Sequence, residues 1–194
     1  MKAALCSENS AKLAEFRALF PDWDLELLGA GPLPAEDGAT YLENARIKAR
    51  FGRVSGPVDR WMLADDSGIE VAALGEGPGV QTARWAEGRH VEKLLAALEG
   101  EEDRRARYVC ELVCLSPDGN ELQGTGVLAG TIAHGPAGEG GFGFDPVFVP
   151  AGEASTVAQL GDGWKAEHSH RALAARALLD ALGSWVHESH TTAG

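Results

Sequence analysis

The chain has 194 residues, 44% of them hydrophobic and 24% charged, with a formal net charge of −12 at pH 7. That length suits one domain, with two lobes at most, and the composition is that of a soluble globular protein with a proper core. The acidic balance argues against non-specific binding to nucleic acid or to anionic membranes, and admits an anionic small substrate only where a divalent cation and local lysines reverse the field.

No stretch approaches the roughly 18 apolar residues of a membrane helix, and no signal peptide precedes the first strand. Residues 2–6 read as a short buried strand. Ser7-Glu8-Asn9-Ser10-Ala11-Lys12 then leads into a helix with Leu13, Phe16, Leu19 and Phe20 on one face, stopping before Pro21. The start of such a helix offers unpaired N–H groups to an anion, with Ser7 and Asn9 in the turn and Lys12 one turn in. The same residues also read as an ordinary Ser/Asn cap followed by a solvent lysine. Their spacing is not that of a phosphate-binding P-loop. Residues 24–28 predict a strand and 29–39 a Gly/Pro-rich loop. Thr40-Tyr41-Leu42-Glu43 opens a helix running to about residue 54. Thr-x-x-Glu is a capping box, so Glu43 reads either as a cap or as an acidic ligand near the helix start.

Ala64-Asp65-Asp66-Ser67-Gly68 follows the apolar run Trp61-Met62-Leu63 and precedes the alternating Ile69-Glu70-Val71-Ala72. This predicts a tight turn between two strands, carrying two carboxylates, a hydroxyl and a glycine. Adjacent side chains on extended backbone point to opposite faces. One aspartate is therefore the working group and the other a support, unless the stretch is an Asp-Ser-Gly turn with no further role. A glycine-rich loop over 75–79 delivers Thr82-Ala83-Arg84-Trp85. Residues 90–98 predict a short helix with Val91, Leu94, Leu95 and Leu98 inward, ended by Gly100. Residues 101–107 read as a charged, solvated connector, and 108–115 and 121–132 as strands joined by a Pro117-Asp118-Gly119-Asn120 hairpin. Cys110 and Cys114 fall on one strand face as buried free thiols. With Cys6 they make an odd set without a CxxC pair, which points to the cytoplasm.

Gly138-Glu139-Gly140-Gly141-Phe142-Gly143 matches G-x-G-x-x-G letter for letter. A dinucleotide fingerprint must open a helix, and Phe144-Asp145-Pro146 followed by Pro150 forbids one. What remains is a loop able to lay Phe142 or Phe144 on a flat ring and aim Asp145 at its edge, or else a plain glycine-rich connection. Residues 151–164 are polar and irregular. Lys165-Ala166-Glu167-His168-Ser169-His170-Arg171 enters a long helix with Leu173, Ala174, Ala177, Leu178 and Leu182 facing the core. His168-x-His170 lacks a third metal ligand. Cations crowded at a helix start oppose its dipole, a cost that a bound anion or acceptor would offset. Residues 187–194 read as a frayed tail.

Six ordered stretches, Ser7-x-Asn9-x-x-Lys12, Glu43-Asn44-Ala45, Asp65-Asp66-Ser67-Gly68, Pro78-Gly79-x-x-Thr82-Ala83-Arg84, Gly141-Phe142-Gly143-Phe144-Asp145-Pro146 and Ser169-His170-Arg171, together resemble one family. It is the Ham1/RdgB-like inosine triphosphate pyrophosphatases, also called XTP/dITP diphosphatases. The resemblance implies an α/β fold with a long central mixed sheet flanked by helices and two lobes with the active-site cleft between them. Residues 1–186 then read as a single two-lobed domain, with 187–194 a disordered tail. The resemblance further implies Mg²⁺-dependent hydrolysis of ITP, dITP and XTP to the monophosphate and pyrophosphate, cleansing the nucleotide pool, by a cytoplasmic homodimer. Carried over residue by residue, Ser7, Glu8, Asn9, Ser10, Ala11 and Lys12 would hold the triphosphate. Glu43 and Asp66 would serve the metal, Asp66 would also be the base, and Ser67 would touch substrate. Phe142, Gly143, Phe144, Asp145, Lys165, His170 and Arg171 would form the base-binding side. Position 144 carries Phe where Tyr or Trp is more usual, Gln159 stands where an acid is common, and residues 85–91 are shorter than usual. The competing readings are a Maf-like nucleotide pyrophosphatase of other base preference and a nucleotide-binding sensor without turnover.

Overall fold

The computed structural model describes residues 1–85 and 88–191 of the chain. Its elements run β1 (Lys2–Leu5), α1 (Ser10–Leu19), β2 (Asp24–Leu27), α2 (Tyr41–Ser55), β3 (Trp61–Val71), β4 (Gly77–Pro78), α3 (Thr82–Trp85), α4 (His90–Ala97), β5 (Arg105–Leu115), β6 (Glu121–Ile132), β7 (Phe148–Pro150), α5 (Val157–His168) and α6 (His170–Thr191). The strands form one mixed seven-stranded sheet in the order β2-β1-β3-β5-β6-β7, with β4 beside β3. β1 runs parallel to both β2 and β3, whereas β4 and β7 run antiparallel to β3 and β6. The predicted α/β class with a central mixed sheet flanked by helices is the observed one.

The chain divides into two compact units. The first comprises residues 1–66, 110–126 and the chain from Arg171 onward; the second comprises 67–109 and 127–170. In the first, Phe16, Phe20, Leu25, Leu63, Leu112 and Leu178 anchor one buried cluster, and Cys6, Ala45, Ala49, Met62 and Val113 a second. In the second unit Ile69, Leu94, Tyr108, Phe144, Phe148 and Val157 form the core. Cys6, Cys110 and Cys114 are all buried free thiols. Burial pushes the Cys6 thiol up to about 12 and raises the other two as well, so they stay protonated and inert.

Four local expectations need correction. Ala64 to Gly68 is not a turn but the middle of the continuous strand β3; Lys12 pairs with Asp65 and Asn44 with Asp66, and tertiary pairing overrides the turn propensity of Asp, Ser and Gly. The solvated connector ends early, because β5 begins at Arg105 with Ala106 turned inward and Arg107 paired to Glu70. The irregular stretch 151–164 holds the start of α5, opened by a Thr156–Gln159 capping box and bent at Gly161. Lys165 and His168 therefore lie in the last turn of α5, where they complement the helix dipole, and the long helix begins only at His170. As for the frayed tail expected over 187–194, α6 runs on to Thr191 and 192–194 lie outside the described residues.

Close packing of α6 on β6 rests on Gly124. A Cβ there would lie 2.1 Å from the Ala174 carbonyl oxygen and 2.7 Å from the Leu178 nitrogen, both backbone atoms of the helix. Gly124→Ala is expected to destabilise by about 3 kcal/mol, the scale of an overpacked core, read as a lower denaturant midpoint. Gly163→Ala, on α5 with nothing within 4 Å of the added carbon, is expected to be neutral or stabilising by up to ~1 kcal/mol.

Candidate active site

In the first unit the turn from β1 into α1 is a complete N-cap. The Ser7 hydroxyl accepts the Asn9 N–H at 3.1 Å, and Asn9 Oδ1 accepts those of Ala11 and Lys12 at 2.9 and 3.2 Å. Glu8, Ser10 and Ala11 lie exposed in this turn. The cap orients Lys12, which is not a solvent lysine: its Nζ donates to Asp65 Oδ2 at 2.7 Å. Asp65 is 1% exposed and has the Arg171 Nε 3.9 Å from the same oxygen. Arg171, expected on the base side, also donates through Nη1 to Glu15 at 3.0 Å. Burial alone would raise the Asp65 carboxyl, but Lys12, Lys48 and Arg171 outweigh it and hold it well below the usual carboxylate range.

Strand alternation sends Asp66 to other partners. Its Oδ2 accepts from the Asn44 amide at 2.9 Å, and its Oδ1 lies 3.8 Å from Lys48 Nζ. Lys48 also donates to Glu36. Burial pushes the Asp66 carboxyl up against the opposing pull of Lys48 and Asn44. Lys48 is raised although burial alone would lower it, because Asp65, Asp66 and Glu36 surround it. Glu43 is exposed and completes the predicted capping box: its Oε2 accepts the Ala39 and Thr40 N–H groups, and Thr40 Oγ1 accepts the Glu43 N–H. Ser67, next on β3, is half-buried.

In the second unit Asp145 is the centre. Its Oδ2 accepts from the Phe142 N–H and from Lys165 Nζ, both at 2.9 Å, and its Oδ1 accepts from the Tyr108 hydroxyl at 3.3 Å. Gly141 makes this possible, since a Cβ there would fall 2.1 Å from Asp145 Oδ2 at a φ of +72°. The Lys165 ammonium lies 4.8 Å from the centre of the half-buried Phe142 ring. Gly143 also turns through positive φ. His170 stacks on Tyr108 with centroids 4.6 Å apart and planes 13° apart. Phe144 is 3% exposed and packs in the core, edge-on to His90.

A sequence model of the Ham1 family matches residues 3–181. The chain belongs to the Ham1 family. Among curated relatives, a protein of Bdellovibrio bacteriovorus named dITP/XTP pyrophosphatase is 39% identical, over 94% of this chain and 98% of its own length. One of the same name from Thermus thermophilus is 42% identical, over 93% and 91%. The solved Ham1 protein of Staphylococcus aureus superposes with a TM-score of 0.79 at 33% identity, covering 97% of this chain and all of its own. In this Ham1 chain, sequence reasoning overlooked Lys48, Glu36, Glu15 and Tyr108, and found no role for Asn44. A signal for two of them was present. Asn44 and Lys48 stand four apart on the stripe Tyr41, Asn44, Ala45, Lys48, Ala49 that α2 buries; polar groups on a buried stripe need partners.

Proposed function

We propose that this Ham1-family chain is a nucleoside triphosphate pyrophosphatase that hydrolyses dITP, XTP and ITP to the monophosphate and pyrophosphate. The observation that carries this reading is the run of dITP/XTP pyrophosphatases about 40% identical to it over more than nine-tenths of each chain. The side-chain chemistry fits. Lys12 and Arg171 meet at Asp65, and we assign both to the phosphate end of the substrate. Lys165, Asp145 and the Phe142 ring, with His170 stacked nearby on Tyr108, suit the purine. Asp66 would take the proton from the attacking water. Its upward-shifted carboxyl brings a general base closer to the operating pH, and Asn44 fixes its orientation.

A divalent cation fits the same residues. Lys12, Lys48 and Arg171 face four carboxylates, Glu15, Glu36, Asp65 and Asp66, so the group has no surplus positive charge for a triphosphate. Glu43 and Asp66 offer hard oxygens, and among the described residues no three His, Cys, Asp or Glu side chains converge on one point. Mg²⁺ suits such a sparse donor set, because it commonly takes one or two carboxylates and completes its shell with water and phosphate oxygens. Bound there, it would neutralise charge and polarise the attacking water. The family resemblance further supports a homodimer working in the cytoplasm, and among the described residues no helix is long and apolar enough to cross a membrane.

The test is a panel of nucleoside triphosphates incubated with Mg²⁺, with products separated by ion exchange. The expected products are a monophosphate and pyrophosphate from dITP, XTP and ITP, with GTP turned over weakly and ATP hardly at all. A diphosphate and orthophosphate would overturn the assignment.

A further inference from the structure

We infer that Gly161 is a positioning residue of this site: its backbone breaks α5 so that Lys165 is turned back onto Asp145 and held where the purine binds. The inference rests on the activity proposed above and adds a residue that acts through Lys165. Both parts of α5 act on Asp145. At the start of the helix the Ala158 N–H donates to the Asp145 carbonyl oxygen at 3.1 Å, and near its end Lys165 Nζ donates to Asp145 Oδ2 at 2.9 Å. In an unbroken α-helix residues 158 and 165 lie roughly 10 Å apart along the axis, so the second would be carried away from the residue that the first holds. The helix is broken between them, at Gly161, with φ 81° and ψ −178°.

That pair of angles belongs to a region essentially reserved for glycine. Outside the helix itself nothing lies within 4 Å of a Cβ added there. Glycine is therefore required for its backbone and not for space. The residues after the break fold back together: Trp164 Nε1 donates at 3.0 Å to Glu153, on the connection ahead of α5, and Lys165 is 6% exposed. An ammonium only donates, and hypoxanthine and xanthine present an acceptor oxygen at position 6, so the bend decides whether that donor stands at the base. Alanine at 161 would be strained in these angles. The chain escapes the strain by closing α5 into a regular helix, which alanine favours, and Lys165 leaves Asp145.

The experiment compares wild type with Gly161→Ala, with Gly163→Ala as the control substitution in the same helix, by two readouts. The first is labelling of Lys165 by an acylating reagent, followed by mass spectrometry of the peptide. Lys165 is expected to be protected in wild type and in Gly163→Ala, and to lose that protection in Gly161→Ala. The second is steady-state kinetics with dITP. Loss of one charge-assisted bond to the base predicts a KM about ten- to hundredfold higher, with kcat unchanged and with unchanged inhibition by pyrophosphate, which carries no base. On a Lys165→Ala background, Gly161→Ala should add nothing further to KM. A glycine that only supports the fold would lower the active fraction, so kcat would fall at constant KM. That result, or a protected Lys165 in folded Gly161→Ala, would overturn the inference. Should Gly161→Ala not fold, Gly161→Asn carries the same comparison, because asparagine enters positive φ more readily than alanine. If wild type does not cleave dITP, the activity reading falls, and the labelling still decides the role of Gly161.

Discussion

Asp66→Asn is expected to lower kcat by at least ~10²-fold, the scale of losing a general base, while the protein stays folded. The amide keeps the shape of the carboxylate. Turned with its oxygen toward Asn44, it still accepts that amide's hydrogen bond, and Lys48 keeps Glu36. What disappears is the group that takes a proton from water. Asp65→Asn should give the opposite profile, because Asp65 is tied to Lys12 and lies beside Arg171. Its main loss should be stability. Steady-state kinetics and thermal melts on both variants check the contrast. Equal falls in melting temperature, with turnover tracking stability in each, would mean that neither aspartate is the reacting group.

Lys12→Ala is expected to destabilise the fold by about 3 kcal/mol, the lower end for removing one member of a buried ion pair. As a solvent lysine it would have cost within about 0.5 kcal/mol. The difference lies in what remains. Asp65, 1% exposed, would lose its 2.7 Å partner, and Lys48 and Arg171 would be left to oppose the cost of its burial. Adding Asp65→Asn should recover part of the loss, since an unpaired buried charge costs more than a neutral amide. The pH dependence has a definite sign. Asp65 titrates below its unfolded value near 3.8, so its contribution is fully present above that pH and is lost as pH falls through the folded value. In metal-free buffer, Lys12→Ala should move that acid loss to higher pH and Asp65→Asn should flatten it. Denaturant titrations between pH 2 and 7 read both effects, and a Lys12→Ala variant as stable as wild type would refute the pairing.

Much of this fold was legible from local chemistry. Phe16 and Phe20 marked the buried face of α1, Thr40 and Glu43 the start of α2, and Pro117 to Asn120 the hairpin between β5 and β6. Each depends on residues a few positions apart, so periodicity and capping rules reach it. The same rules failed at residues 64–68, where every local preference favours a turn and the chain builds a strand. They also missed the start of α5, although Thr156-x-x-Gln159 is the signature that had served for α2.

The sequence by itself determined which residue types are available: two adjacent aspartates, a capped lysine, a glycine-rich aromatic loop, and a His-Arg pair at the head of the last helix. Their order was enough to point to a family. Only the tertiary structure decided who meets whom. Lys12 meets Asp65 across 53 positions and Arg171 meets Glu15 across 156. Such pairings depend on the sheet order and on which stripe each helix buries, and no window of local sequence contains both partners. Burial then changed the chemistry of the pieces: Phe144 became core, Lys12 became a counter-ion, and the neighbouring aspartates were driven in opposite directions. A carboxylate's behaviour is set by the charges and the amount of water around it, and only the folded chain supplies those surroundings.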